Sequence, residues 1–238
     1  MSQPVGLRLE PSRALKEKRL LALLAGRSES EEALRGVVRD AQLLGSLELA
    51  DVPATWDEVR GPSPGPEVLR LRRAQALAPP QSPLTVATLL AWHQELVGPG
   101  QGWRRTERAR EGGPPPAPPE FVEGRLRLLE EWLSMDSGRE LRGAPQGALA
   151  LARIIEVLPF DEGNGRVARL AASHLMVRAG ERPPILVKGD LPRLVAALQA
   201  GFRLDTEPLS RLLEEASARC LDVMIRALEA PVSDQALL

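Results

Sequence analysis

Apolar residues recur three and four apart along most of this chain, and clusters of proline and glycine interrupt them, a pattern that commits it to a set of packed helices. The first stripe runs over 14–24. The second runs over 33–47, where Leu34, Val37, Val38 and Ala41 share one face, with Ser30 to Glu32 placed as its N-terminal cap region. Pro62, Pro64 and Pro66 punctuate a loop-rich stretch before a short helix over 67–76, and Pro79, Pro80 and Pro83 mark the next boundary. Thr85 is placed to cap a helix with the face Val86, Leu89, Leu90, His93 and Val97, which Gly98 and Gly100 end. Residues 99–119, rich in Gly, Arg and Pro, have no helical period and read as a long loop. From Glu120 the stripe resumes with Phe121, Leu126, Leu128, Leu129 and Trp132. Further helices are expected over 145–157, from Asn164 or Gly165 to near Gly180, over 191–200 and over 208–228, with 184–187 as a short strand.

Composition agrees with an all-α class: Ala, Leu and Arg dominate, and there are four tryptophans and no tyrosine, so Leu, Ala, Val and Ile must build the core. We divide the chain into an N-terminal helical extension over 1–82, a main unit over 83–228 and a frayed C-terminus over 229–238. With 31 basic and 32 acidic residues, charge gives no reason to expect a nucleic-acid partner. Cys220 is the only cysteine, so an internal disulfide is excluded. No run reaches the ~20 apolar residues a membrane span needs, and the N-terminus has no signal pattern, so no membrane association is expected and a cytoplasmic location is the default.

One segment concentrates chemistry. Residues 158–169 read Leu-Pro-Phe-Asp-Glu-Gly-Asn-Gly-Arg-Val-Ala-Arg. Gly163 and Gly165 let the backbone turn sharply and approach a ligand at a helix mouth, where unsatisfied N–H groups and the helix dipole favour phosphate. Asn164 adds a side-chain amide, and Arg166 and Arg169, three apart, project near the first turn. A carboxylate at Glu162 would repel a phosphate unless a cation lay between them, which points to Mg2+. On spacing alone, a tight turn followed by two surface arginines accounts for the segment equally well.

The whole string resembles the signature of the Fic/Doc family, His-Pro-Phe-x-(Asp/Glu)-Gly-Asn-Gly-Arg-x-x-Arg, at every fixed position except the first, where Leu158 stands. The resemblance extends over about 85–225: a helix with a histidine similar to His93, a Gly-x-Arg segment at Gly102-Trp103-Arg104 and a proline pair at Pro118-Pro119. It implies a helical bundle with a short β-hairpin flap, and an AMP transfer from ATP with Mg2+ to a hydroxyl of a protein target. It also implies that Phe160 anchors the loop, Glu162 binds the metal, Gly163, Asn164 and Gly165 hold the α- and β-phosphates, Arg166 orients the phosphates and Arg169 reaches the γ-phosphate.

The missing histidine is the family's general base, and leucine has no lone pair to take a proton. Losing such a base costs about a hundred- to ten-thousand-fold in rate. Asp161, in the loop itself, and Glu156 are the remaining candidate bases, whereas His93 and His174 lie on apolar stripes and read as hydrogen-bonded core residues. Three accounts of Leu158 stay open: loss of catalysis with binding retained, chemistry that uses another base, or a substitution introduced by design. A purely structural interaction module is the reading from a different class. The resemblance further places the remnant of an autoinhibitory helix at 33–49, with Glu48 as the residue expected to pair with Arg169; an ordinary solvated glutamate is the plainer reading. The flap region is poor in strand-forming chemistry, so Trp103, Arg104, Arg105, Arg108 and Arg110 read as a charged loop or a basic aromatic patch.

Overall fold

The computed structural model describes residues 11–25, 31–110 and 113–229. Of the cap region expected over 30–32, residue 30 lies outside them and 31 and 32 already belong to a helix; of the frayed end expected over 229–238, residues 230–238 lie outside them and Glu229 closes the last helix. Eleven α-helices are found among the described residues: α1 (Pro11–Leu24), α2 (Glu31–Glu48), α3 (Trp56–Arg60), α4 (Pro66–Leu77), α5 (Val86–Val97), α6 (Val122–Ser134), α7 (Asp136–Glu140), α8 (Ala144–Val157), α9 (Asn164–Arg178), α10 (Leu191–Gly201) and α11 (Glu207–Glu229). Single 3-10 turns precede α6 and α10.

Local chemistry explains most boundaries. The Thr85 hydroxyl accepts from the Thr88 N–H at 3.1 Å and opens α5, and Gly98, at φ 137°, ends it. Thr55 and Glu58 form a reciprocal capping box that starts α3, a helix too short to leave a periodic signal. α7 escapes sequence reading for the same reason.

The core is centred on α8. This helix is buried on nearly every side through Ala148, Ala152, Leu151, Ile154 and Val157, and fully burying a side chain the size of Leu or Ile stabilises by about 1.5–3 kcal/mol. α8 and α9 form the largest helix pair, which small residues permit: a Cβ on Gly147 would stand 3.1 Å from the Ala172 carbonyl oxygen. α11 packs across α8, α10, α2 and α1, so the N-terminal helices share the same hydrophobic core. Two adjacent helices thus converge on the turn between them, residues 158–163.

Two expected β features do not form, and no strand occurs among the described residues. The short strand at 184–187 is instead an extended connection whose backbone is satisfied by helices. Ile185 donates to the Ala216 carbonyl at 3.0 Å, and Pro184 accepts from the Gln42 amide at 3.0 Å. The flap hairpin is also absent. Pro114 to Pro116, Pro118 and Pro119 withhold ladder donors, and arginine side chains of this segment bind the end of α8.

Candidate phosphate-binding site

The C-terminus of α8 must satisfy its last carbonyls, and the preceding loop supplies the donors. Arg104 is 2% exposed, and its guanidinium donates to Leu158 O at 2.6 Å, Val157 O at 3.2 Å, Thr106 O at 2.8 Å and Ala117 O. Its own N–H donates to Pro159 O at 2.9 Å. Arg110 binds Ile155 O and, at 2.9 Å, Glu156 O, with its guanidinium 4.4 Å from the centre of the Phe202 ring. Arg108 binds Asp161 O and stands 3.5 Å from its carboxylate. Arg104 and Arg110 therefore place two cations at the negative end of a helix dipole. The segment is a charged loop in which Arg105 and Arg108 are exposed, while Arg104 and Arg110 turn inward. Arg105 alone among the four arginines makes no such bond. Sequence reading missed this role because arginines in a Pro-Gly stretch give no sign of turning inward.

Leu158 follows α8 in the left-handed conformation, φ 47° and ψ 66°, and its N–H closes the helix on Ile154 O at 3.0 Å. Such a conformation costs a residue with a Cβ roughly 1 kcal/mol. Phe160 is completely buried between His93, stacked at 3.7 Å and 3°, and Trp103, at 5.1 Å and 24°. Both polar atoms of the Asn164 side chain are engaged by the Phe160 backbone, at 3.0 and 2.8 Å. Asn164 thus braces the loop from within.

Gly163 adopts φ 76°, and no side chain caps the N–H groups of α9 that follow. They are the ready-made anion donors of a helix N-terminus. Over this turn lie both arginines. The Arg166 guanidinium is mostly buried and pairs with Glu67 of α4 at 3.3 Å. Arg169 donates to the Ser46 hydroxyl at 3.1 Å and the Ser46 carbonyl at 2.8 Å, both on α2. Burial, and then the Arg166 charge, lower the Arg169 pKa to about 10, so it remains cationic at neutral pH. The ion pair expected between Arg169 and Glu48 is replaced by this contact with Ser46, two residues earlier on the same helix. Nothing in the local sequence singles out Ser46 or Glu67.

The candidate bases and histidines separate. Asp161 is exposed and tied to Arg108, while the Glu156 carboxylate pairs with Arg153. His174 is a core histidine, bonded to Ser82 O at 2.8 Å, and burial lowers its pKa. His93 is buried as expected, but neither ring nitrogen finds a hydrogen-bond partner within normal geometry. Burial lowers its pKa, with the nearby Glu162 backbone and carboxylate opposing. The hydrogen bond expected of a core histidine does not form within normal geometry, and the ring face packs on Phe160. Glu162 is exposed beside the turn, and among the described residues no three His, Cys, Asp or Glu converge on one point. A divalent cation here would take one carboxylate from the protein and its other ligands from phosphate and water, as Mg2+ does.

Comparison with known proteins gives these residues a context. The model of the Fic/DOC family matches residues 83–176. "Protein adenylyltransferase Fic" of Drosophila grimshawi is 29% identical over 153 residues, covering 60% of this chain and 31% of its own. The protein of the same description from Culex quinquefasciatus is 30% identical over 153 residues, covering 60% and 30%. The match thus spans about a third of the length of these curated relatives. Among solved structures, Fic-1 (residues 134–508) from C. elegans has a TM-score of 0.71 at 21% identity over 90% of this chain and 73% of that one. A Fic domain containing signaling protein from Bacteroides thetaiotaomicron has a TM-score of 0.72 at 17% identity over 91% and 96%. At those identities the likeness is one of fold.

Proposed function

We propose, from the match of residues 83–176 to the Fic/DOC family model, that this chain binds a nucleoside triphosphate with Mg2+ at the mouth of α9 and transfers AMP weakly or not at all. The observation that carries the reading is the uncapped N-terminus of α9 behind a left-handed Gly163, with the guanidinium groups of Arg166 and Arg169 above it. Backbone N–H groups of this turn would receive the α- and β-phosphates. Arg166 would orient the phosphates, and Arg169 would reach the third. Glu162 would hold Mg2+ through one carboxylate, and the metal would offset the charge that develops on the phosphates. Phe160 and Asn164 keep the loop rigid by burial and by their reciprocal hydrogen bonds.

Transfer to a protein hydroxyl would require the oxygen to lose its proton as it attacks the α-phosphorus and pyrophosphate leaves. Leu158 offers no lone pair at the position that faces this step. Asp161, bound to Arg108, and Glu156, bound to Arg153, are poor replacements. Binding would then persist where transfer falters. The N-terminal helices to residue 82 would act as a brake on the Fic-type unit over 83–228. Ser46 and Glu67 already hold the two phosphate-facing arginines, and incoming phosphates must displace them. The role expected of Glu48 falls to these two contacts.

Calorimetric titration with ATP and Mg2+ tests the binding. The expected result is a measurable heat that Arg169→Ala abolishes, and no heat for either protein would end the claim. Incubation with labelled ATP tests the defect: Leu158→His should gain self-labelling by about a hundred-fold or more. Equal, strong labelling in both would refute the idea that Leu158 disables transfer.

A further inference from the structure

One helix face finds no partner within the described chain. Phe121 immediately precedes α6, Met135 immediately follows it and Leu128 stands midway; they are 57%, 54% and 59% exposed. Half-buried Trp132 lies on the same stripe, because positions 121, 125, 128, 132 and 135 recur at alternating spacings of four and three. Single apolar residues are ordinary on a surface, whereas four in line along a helix of about 20 Å make a continuous ridge.

The polar residues of α6 single out the same face. The helix carries Glu123, Arg125, Arg127, Glu130 and Glu131. Arg127 pairs with Glu123 at 2.5 Å, and Glu130 accepts from the Val86 N–H at 2.9 Å. Arg125 and Glu131, the two charges beside the ridge, are exposed and have no side-chain hydrogen bond or ion pair among the described residues. Gly124 lies on this side as well. Glycine weakens a helix interior, yet a Cβ added here would meet nothing within 4 Å, so no contact within the chain calls for it.

Around Leu128 the face is complementary to its own reverse. Phe121 and Met135 lie seven residues to either side, Gly124 and Trp132 four, and Arg125 and Glu131 three. Two α6 helices laid antiparallel about a two-fold axis at Leu128 bring each residue level with its counterpart. The ring of Phe121 meets a thioether, the Trp132 indole meets the space over a glycine, and the Arg125 guanidinium meets a carboxylate. Each couple occurs twice. A parallel pair would set Arg125 against Arg125 and Glu131 against Glu131, and like charges repel. From this self-complementarity we propose that a second copy of this chain covers the α6 face, forming an isologous antiparallel homodimer. The apolar and sulfur–aromatic contacts supply the attraction, and the charges select the orientation. One helix face is at the low end of specific interfaces, so a dissociation constant of about 10 µM is expected. The pairing does not depend on nucleotide binding.

Sedimentation velocity of the intact chain from about 1 to about 200 µM should show monomer converting to dimer. Leu128→Lys sets two ammonium groups against each other at the axis and should weaken the dimer about tenfold or more. Arg125→Glu and Glu131→Arg should each do the same, and the two together should restore the parental constant to within about threefold. Monomer at every concentration would leave the face to a different protein and overturn the proposal. A dimer that Leu128→Lys leaves intact would place the contact on another surface and overturn it too, as would a double variant that recovers nothing. All three positions are exposed, circular dichroism of each variant checks its fold, and if Leu128→Lys unfolds, the charge exchange decides.

Discussion

Replacing Arg104 with alanine removes four guanidinium contacts to carbonyl oxygens, those of Thr106, Ala117, Val157 and Leu158. A hydrogen bond from a charged donor contributes about 1.5–3 kcal/mol net, so a simple sum would reach roughly 6–12 kcal/mol. The sum overstates the loss. The native side chain gives up hydration to be buried, which also lowers its pKa, and part of the exposed loop can rehydrate once the side chain is gone. About 3–5 kcal/mol is therefore expected, the range for breaking a buried polar network. For a protein of this size each kcal/mol moves the melting midpoint by about 2–4 °C, so Arg104→Ala should melt about 6–20 °C below the parent. Arg104→Lys should recover only a small part, because one ammonium cannot span four acceptors that a planar fork reaches together. Urea unfolding read by circular dichroism gives the free energy directly. A loss under about 1 kcal/mol, or a lysine variant as stable as the parent, would refute the view that Arg104 holds the end of α8 and the turn beyond it.

Glu67→Gln removes a partly exposed ion pair contributing about 0.5–1 kcal/mol, so ATP should bind about two- to fivefold more tightly by calorimetry; weaker binding would contradict the competition. Gly45→Ala drives a Cβ into the Leu186 carbonyl oxygen, a backbone atom that cannot rotate away. It should cost about 2–3 kcal/mol in urea unfolding and loosen the hold of Ser46 on Arg169. Burial lowers the pKa of His93 and of His174, so the unfolded chain takes up those protons first as pH falls. Their contribution to stability is complete above the ordinary value near 6.5 and is lost as pH drops through the lower native values. Urea midpoints measured from pH 7.5 to 5 should fall, and His93→Phe should flatten the slope.

The helices α5, α6 and α8 to α11 were largely legible because their apolar faces repeat with the helical period and because Thr85, Gly98 and the Gly-Asn-Gly turn mark their ends. The position of the Gly-Asn-Gly turn at the mouth of α9 followed from the same residues. What the sequence hid has one physical character: contacts between residues far apart along the chain. Arg104 meets Leu158, Arg166 meets Glu67 and Arg169 meets Ser46, and no local period records any of them. The hairpin failed for a related reason. Family resemblance implied it, but the prolines and the inward-turned arginines of this chain commit the same segment to the end of α8.

The backbone at residue 158 carries a consequence of its own. Its left-handed twist closes α8 and does so without the imidazole that the family places there. Histidine is among the side chains that enter this conformation more readily than most, so the backbone at 158 would accept it without added strain. Leucine codons of the CTC and CTT type lie one base from those of histidine. From such a codon a single base change would set histidine on a backbone whose twist already suits either residue.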